Sequence, residues 1–402
     1  MDRFMAASLV DPVEIAVQNL LRQGRYKAFI CCAGGGSQAY DWIARVPGAS
    51  EFLAGATFPY ATDETDRFLG FRTDHYVSRE NALDLAAASY LRAAEHLQRQ
   101  CGDGSVAKKP MGIGLTAAIA TTRQLRGGCR VHVAAVTPEN VVYAYEDLES
   151  GVGESMRHQH SAETSIMALD IMLATAGFVP IGNLKTRAIE DQELRNRFFQ
   201  HPWFAPFDRR SAMDYRAVRH AILLPGSFNP MHDGHRDMAR VIEELTGKQV
   251  IYTTTADSVH KPPLGITELL NRAAQIRLEQ WAGNSRSILF THGDPLFVDK
   301  ARNFPGVNFA VGVDTVARML EPKWYSDAEA GVRSMLGELH QYGAHLFVFG
   351  RAIGGRFTVL SDIDVPDAYG HLFSPVPGRW DLSSTAIREQ RSHGVGPGYH
   401  SV

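Results

Sequence analysis

The sequence contains little cysteine, with only 4 such residues in a chain of 402. Cys31, Cys32, Cys101 and Cys129 are too few for a disulfide framework, and their spacing matches no CxxC or Cys/His metal motif. The class of small, disulfide-stapled secreted proteins is therefore excluded. We expect a cytoplasmic protein with its thiols mostly in the core and with no protein-bound metal ion.

The chain also lacks an excess of charge of one sign and lacks long apolar runs. Its 41 Lys and Arg against 44 Asp and Glu give a net charge of −3, so we expect neither nucleic acid nor an anionic membrane as a partner. No apolar run is long enough to span a bilayer. The opening residues, MDRFMAASLVDPVE, lack the continuous apolar core of a signal peptide.

Three regions differ in pattern, and the length of 402 residues suits at least two domains. Residues 12–178 alternate loosely between helical and apolar extended segments, which is typical of an α/β domain. Residues 179–217 are charged and aromatic, and we expect a helical segment that links or braces two domains. Residues 218–395 alternate regularly, and this predicts a doubly wound, Rossmann-like parallel sheet. Its predicted strands are Ala221–Leu224, Gln249–Thr254, Ser287–Phe290, Asn308–Val313 and His345–Phe349.

Ligands of doubly wound sheets bind beyond the C-terminal ends of the strands. Four segments should therefore share one rim of the predicted sheet: Gly226–His235, Thr255–Lys261, Gly312–Thr315 and Gly350–Arg351.

The first of these segments has the features of a phosphate site. A short apolar strand runs into Pro225-Gly226-Ser227, and then His232-Asp233-Gly234-His235 opens a helical pattern. Unpaired N–H groups at a helix start and the positive end of its dipole attract anions. Two histidines separated in this way can donate to the same phosphate.

Two further clusters suit an anion at the same rim. Lys261 lies between His260 and two prolines, after a predicted strand. In Leu382–Arg388, Ser383 or Ser384 can cap a helix, and Arg388 follows one turn later on the same face.

Together, GSFNPMHDGH, HKPP and SSTAIR resemble the motifs of the nucleotidyltransferase superfamily with the HIGH signature, most of all its nicotinamide and nicotinate mononucleotide adenylyltransferases. The resemblance covers roughly Arg219 to Ser392. It implies attack of the mononucleotide phosphate on the α-phosphate of ATP, with release of pyrophosphate and with Mg²⁺ accompanying ATP. It also implies catalytic roles for His232, His235, Lys261 and Arg388. The implied ATP-binding residues are Gly226, Ser227, Phe228, Gly234, Ser383, Ser384 and Thr385; Asp314 and Trp324 would bind the mononucleotide, which Ser227 and Phe228 would also meet.

The N-terminal region resembles a second family. The runs AGGGS, VPGAS and FPY, which begin at Ala33, Val46 and Phe58, are similar to motifs of the CinA C-terminal family, the nicotinamide-mononucleotide amidohydrolases. The resemblance covers about Val13 to Phe178. It implies a ligand site formed by Gly35, Gly36, Ser37, Tyr60 and Arg157.

The same region departs from that family at the residues that do the chemistry. Ala33 occupies the position of the nucleophilic serine, Thr65 that of the lysine, and Gly153 that of the first of two arginines. Without the serine and lysine, the activation of the nucleophile is lost. We expect a degenerate domain that binds a nucleotide or braces the protein; an active amidohydrolase with Cys32 as nucleophile is the alternative.

Both resemblances point to pyridine nucleotides. The function expected from the sequence is an adenylyltransferase of NAD biosynthesis that joins ATP to a pyridine mononucleotide, with a homo-oligomer as one possible assembly. Two alternatives stay open. One is a cytidylyltransferase-type enzyme acting on another phosphate ester, and the other is a non-catalytic sensor of pyridine nucleotides.

Overall fold

The computed structural model describes residues 11–100, 108–182, 184–198, 218, 220–257, 262–281, 288–291 and 296–380. The chain divides into two compact units. One is Met1–Asn196 with Ile266–Ala274, and the other is Arg197–Gly265 with Gln275–Val402. Within the described ranges, no helix has both the length and the apolar character needed to cross a membrane.

The N-terminal unit is an α/β unit, as predicted. Its helices are α1 (Pro12–Arg22), α2 (Ser37–Ala44), α3 (Ala49–Phe52), α4 (Thr62–Leu69), α5 (Arg79–Gln100), α6 (Glu154–Ala176) and α7 (Asp191–Phe198), the last of which crosses the boundary between the units. Its strands are β1 (Tyr26–Ala33), β2 (Leu53–Thr57), β3 (Lys109–Ala118), β4 (Arg130–Val136), β5 (Val141–Asp147) and β6 (Arg187–Ala188).

These strands form one mixed sheet in the order β2-β1-β3-β4-β5-β6. Strand β1 is parallel to β2 and β3, whereas β3 through β6 pair antiparallel in turn. Strand β6 belongs to the 179–217 segment, so this sheet takes a strand from the region expected to be a linker. Helix α1 begins with a capped first turn, because the Asp11 carboxylate accepts a hydrogen bond from the Val13 N–H at 3.0 Å.

Helix α5 lies directly on strand β3, and two glycines make this possible. A Cβ atom on Gly114 would stand 2.2 Å from the backbone nitrogen of Ala86 and 2.3 Å from the carbonyl oxygen of Ala82. A Cβ on Gly112 would stand 2.1 Å from the carbonyl oxygen of Ala86. Any side chain at either position would therefore push the helix off the strand.

The C-terminal unit contains the regular alternation that the sequence predicts. Its strands are β7 (Ile222–Pro225), β8 (Val250–Thr255), β9 (Ile288–Thr291), β10 (Asn308–Gly312), β11 (His345–Phe349), β12 (Arg351–Ile353), β13 (Arg356–Thr358) and β14 (Phe373–Val376). Its helices are α8 (Asp233–Thr246), α9 (Ile266–Trp281), α10 (Phe297–Asn303), α11 (Val313–Met319) and α12 (Ala328–Gln341), and the first half of α9 counts with the other unit. The hairpin β12–β13 and the edge strand β14 are additions that the sequence did not predict.

The main sheet of this unit has the order β14-β11-β10-β7-β8-β9, with every pair parallel. This confirms the predicted doubly wound parallel sheet. The strand order reverses between β7 and β10, which pair at Ile222 with Asn308 and at Leu223 with Phe309. At this switch point the following segments diverge, which leaves a crevice at the C-terminal edge of the sheet.

The close approach of α5 to β3 gives a stability prediction. Gly114→Ala should lower the free energy of unfolding by about 3 kcal/mol, because the new Cβ meets backbone atoms that cannot rotate away. Gly370→Ala is the control, since a Cβ there meets no atom within 4 Å. Denaturant unfolding followed by circular dichroism measures both variants. Equal stability of Gly114→Ala and the parent protein would contradict this packing.

Candidate active site

The turn after β7 is held by hydrogen bonds to the neighbouring strand. The Gly226 N–H donates to the Thr253 carbonyl at 3.0 Å, and the Thr254 hydroxyl donates to the Gly226 carbonyl at 2.7 Å. A Cβ on Gly226 would lie 2.8 Å from the Phe228 ring, so glycine is needed for the chain to fold back here. Phe228 adopts a left-handed backbone conformation with φ +44°.

The Phe228 side chain is fully buried and supports the second histidine of the motif. Its ring packs edge-to-face on His235, with centroids 4.9 Å apart, and on Tyr252, with centroids 5.2 Å apart. Ser227, next to it, is exposed. Of this predicted pair, Ser227 is exposed to solvent, whereas Phe228 is buried and packs on His235.

The two histidines stand at the N-terminus of α8. His232 is the residue before the helix, and its carbonyl accepts from the His235 N–H at 2.9 Å. Its own N–H lies 3.4 Å from Nδ1 of His235. The two rings stack with centroids 3.7 Å apart and planes 28° from parallel. The Met231 N–H, just before them, donates to the Gln275 side chain at 2.7 Å.

Both imidazoles are neutral at physiological pH. Burial, followed by the charges of Arg351 and Arg236, lowers the pKa of His232 to about 4. Burial, followed by His232 and the same two arginines, lowers the pKa of His235 to about 3. Within the part of the chain that the structure describes, neither ring nitrogen of His232 has a hydrogen-bond partner, although this side chain is buried. A buried imidazole without a partner is costly, and an entering anion would supply the missing acceptor.

The histidines line a pocket that encloses about 310 Å³, part of it open to solvent. Gly234 and Met238 of α8 line it beside them, and Gly312, at the end of β10, lines it at the sheet edge. The remaining lining residues follow or end the strands beyond β10: Phe349, Gly350, Arg351 and Trp380. The pocket therefore lies at the switch point, as the strand order requires.

Arg351 and Asp314 form an ion pair beside this pocket. The guanidinium Nη1 of Arg351 lies 3.5 Å from Oδ1 of Asp314, and Arg318 lies 4.0 Å from the other carboxylate oxygen. A Cβ on Gly312 would be 2.4 Å from Asp314 Oδ1, so the carboxylate folds over this glycine. The sequence predicts Gly350 and Arg351 at the C-terminal rim of the sheet, but it assigns no role to Arg351. It does not identify Phe349 or Trp380 as residues of the site.

The remaining predicted residues of this site lie apart from the pocket or outside the described residues. Trp324 ends a short 3₁₀ helix, Pro322–Trp324, and is 45% exposed, with the Lys323 ammonium 4.8 Å from its ring centroid. It does not line the pocket. Lys261, Ser383, Ser384, Thr385 and Arg388 lie outside the described residues.

The residues predicted for an N-terminal ligand site form two groups, and each group contacts α6 or lies on it. The Gly36 N–H donates to the Thr164 hydroxyl at 3.0 Å, and Ser37, which is exposed, begins α2. Arg157 donates to the Tyr60 hydroxyl at 2.7 Å and to the Ala120 carbonyl at 2.8 Å. Gly35 faces α6, since a Cβ on it would lie 2.7 Å from the Thr164 hydroxyl oxygen.

The two thiols at the end of β1 are poorly suited to nucleophilic attack. Burial raises the pKa of Cys32 to about 12, and burial together with Cys32 raises the pKa of Cys31 well above its ordinary value. Both side chains are buried at the end of β1. The reactive form of cysteine is the thiolate, which is scarce at neutral pH under these conditions. Thr65, at the position of the expected lysine, is buried, and its hydroxyl donates to the Ala61 carbonyl at 3.4 Å.

Comparison with known proteins agrees with this geometry. Residues 223–390 match the family model described as Cytidylyltransferase-like. A relative from Gloeobacter violaceus, described as a probable nicotinate-nucleotide adenylyltransferase, is 28% identical over 181 residues, which cover 42% of this chain and 82% of the relative. The prediction of a nucleotidyltransferase is confirmed.

Solved structures of CinA-type proteins also match. The competence/damage inducible protein CihA from Agrobacterium tumefaciens is 18% identical and covers 41% of this chain and 95% of its own, with a TM-score of 0.32. A competence-damaged protein (CinA) superfamily protein from Escherichia coli is 13% identical and covers 43% of this chain and 95% of its own, with a TM-score of 0.28.

The burial of the two histidines gives a pH prediction. NMR titration of the ligand-free protein should give pKa values of about 4 for His232 and about 3 for His235. Histidine in the unfolded chain binds its proton near pH 6.5, whereas the folded protein binds these two protons only near pH 3 to 4. Between these pH values the unfolded state binds more protons, so the free energy of unfolding should fall as the pH falls from about 6.5 towards 3.

A charge variant tests the cause of these shifts. In Arg351→Gln both histidine pKa values should rise, because the positive charge of Arg351 disfavours protonation of each ring. Single His→Gln variants assign the resonances. Values close to 6.5 for both histidines in the unmodified protein would refute the buried, neutral pair.

Proposed function

We propose that the protein is an adenylyltransferase of NAD biosynthesis, which joins ATP and a pyridine mononucleotide to give the dinucleotide and pyrophosphate. The observation that carries the proposal is the pair of neutral, stacked histidines at the start of α8, on the wall of the switch-point pocket. The ATP triphosphate, with its Mg²⁺, is the anion that we assign to this helix N-terminus.

The reaction needs little covalent chemistry from the protein. An oxygen of the mononucleotide phosphate attacks the α-phosphorus of ATP, and the bond from this phosphorus to the α–β bridging oxygen breaks. The electron pair of that bond leaves with pyrophosphate. Positioning and stabilisation of the developing negative charge supply the catalysis.

His232 and His235 suit this role because they are neutral before the substrate binds. A neutral imidazole carries one N–H, and it can donate this hydrogen to a phosphate oxygen. As negative charge accumulates on the bridging oxygen, the protonated form of the ring is favoured, so the pKa of His235 rises toward its ordinary value. Arg351 adds a fixed positive charge to the same wall, and its contact with Asp314 keeps the guanidinium oriented.

The acceptor is inferred from the relative and from the motifs. The name of the Gloeobacter violaceus relative indicates nicotinate mononucleotide, and the motif resemblance covers the nicotinamide form as well. We assign Asp314, together with Trp324 and the exposed Ser227, to this mononucleotide. Lys261, Ser383, Ser384, Thr385 and Arg388 are assigned to the phosphates of ATP on their motifs alone.

We further propose that the N-terminal unit is a degenerate amidohydrolase. Ala33 lacks a nucleophilic group, Thr65 lacks an amine, and the neighbouring thiols are buried and protonated. We assign binding of a nucleotide without cleavage to the hydrogen-bonded Tyr60 and Arg157, together with the Gly35–Ser37 turn.

The adenylyltransferase proposal predicts turnover that depends on His235. Purified protein with MgATP and either mononucleotide should form dinucleotide and release pyrophosphate in equal amounts. His235→Ala should lower kcat by roughly 100-fold or more, the scale for loss of one preorganised donor. His340→Ala, an exposed histidine in the last turn of α12, should retain full activity.

Two other results would count against this assignment. Turnover with CTP and a different phosphate ester, but not with ATP and either mononucleotide, would favour the cytidylyltransferase type. Unchanged rates in a folded His235→Ala protein, with folding checked by circular dichroism, would remove the catalytic role of the histidine pair.

The N-terminal unit gives a separate prediction. Incubation of the full chain with nicotinamide mononucleotide, without ATP, should release no ammonia above the blank, because no activated nucleophile is present. Ammonia release would contradict the degenerate assignment. In that event Cys32→Ser decides whether the thiol is responsible, since only a Cys32-dependent hydrolase would lose its activity.

A further inference from the structure

Trp380 is held rigidly at the edge of the pocket. Its indole packs edge-to-face on Phe349, with ring centroids 4.7 Å apart and planes 88° from each other. Its backbone N–H lies 3.4 Å from the Gly350 carbonyl. A Cβ on Gly378, which has φ +130°, would lie 2.2 Å from the indole, so the ring rests against a position where only glycine fits. These contacts fix the ring before any ligand arrives.

The pocket lining combines two kinds of chemistry. His232, His235 and Arg351 offer hydrogen-bond donors and positive charge, which suit phosphate groups. Met238, Phe349 and Trp380 are large and apolar, and they line the pocket together with Gly234, Gly312 and Gly350. A nucleotide has the same two parts, an anionic chain and a planar base. Phe349 is buried, so Trp380, which is partly exposed, is the ring that can meet a base.

We propose that Trp380 is the base-stacking residue for ATP, with the adenine ring lying on the indole face. This inference rests on the proposed function, because it takes ATP as the nucleotide in the pocket. The histidines assigned to the triphosphate line the same pocket as Trp380, which places the base of the same molecule within reach of the indole. Trp324, assigned to the mononucleotide, does not line this pocket.

The role assigned to Trp380 is selective binding. A purine offers a larger stacking surface than a pyrimidine, so a rigid indole favours ATP over CTP. Methionine at position 238 supplies a polarisable neighbour that adapts to the base edge. Trp380 therefore affects KM for the nucleotide, whereas His235 affects kcat.

Tryptophan fluorescence provides a direct binding test. ATP without mononucleotide should quench the emission of the full chain, and the quenching should be lost in Trp380→Phe, although four other tryptophans remain. Trp324→Phe is the matched control and should keep the quenching. Equal quenching by ATP in Trp380→Phe and the parent protein would overturn the proposal, as would quenching of Trp380 by the mononucleotide alone.

Kinetics give a second, independent test. Trp380→Ala should raise KM for ATP about tenfold, within the range for loss of a base–aromatic stack, and should change kcat by less than about threefold. Trp380→Phe should recover most of the affinity because a flat ring is restored. Gly378→Ala, which displaces the indole without removing it, should raise KM in the same direction. A fall in kcat with an unchanged KM would overturn the stacking role.

These measurements separate this inference from the function on which it rests. In one outcome, ATP quenches the fluorescence of Trp380 while neither mononucleotide supports turnover. In that case the proposed acceptor is wrong, and the assignment of Trp380 to the base of ATP is retained. If Trp380→Ala forms dinucleotide normally and with an unchanged KM for ATP, the adenylyltransferase proposal is retained and the stacking role of Trp380 is rejected. A ratio of kcat/KM for ATP over CTP that is unchanged by Trp380→Ala would likewise reject the selectivity.

Discussion

The parallel pairing of β7 with β10 is the constraint on which the C-terminal site depends. These strands are neighbours in the sheet but are separated in the chain by β8, β9 and their helices. The segments that leave β7 and β10 therefore depart in different directions, and a space opens above the sheet edge. Because every strand of this sheet is parallel, the residues that follow β11 and β14 reach the same edge. The histidines, Arg351 and Trp380 meet there although nearly 150 residues of sequence separate the first from the last.

Burial then determines the electrostatic state of this space. The net charge of the chain is only −3, so attraction of a polyphosphate depends on local groups and not on an overall field. Burial keeps the two imidazoles neutral beside Arg351, so positive charge does not accumulate on this wall of the pocket. An anion changes this balance, because it favours the protonated rings that burial had disfavoured. The affinity of the two histidines for an anion therefore results from their burial against Phe228 and the sheet.

The sequence predicts the parts of the site that depend on neighbouring residues. The strand before Gly226 and the helix after His232 follow from apolar periodicity and from glycine at a turn. Strand order is different, because pairing joins residues far apart in the chain and leaves no local signal. The hairpin β12–β13 and strand β14 are only three or four residues long, too short for a periodic pattern. Arg351 is the first residue of β12 and Trp380 follows β14, which explains why the sequence assigned them no role.

The N-terminal unit shows that a fold and its chemistry depend on different residues. The sheet needs Gly112 and Gly114, since a Cβ at either would strike the backbone of α5. The side chains expected to activate a nucleophile have no comparable packing function. Alanine at position 33 ends β1 without disturbing its pairing with β3, and the hydroxyl of Thr65 is satisfied within its own helix. Alanine at position 33 and threonine at position 65 are therefore compatible with the fold of this unit. Arg157 donates a hydrogen bond to the Tyr60 hydroxyl, and this contact agrees with the binding role proposed above.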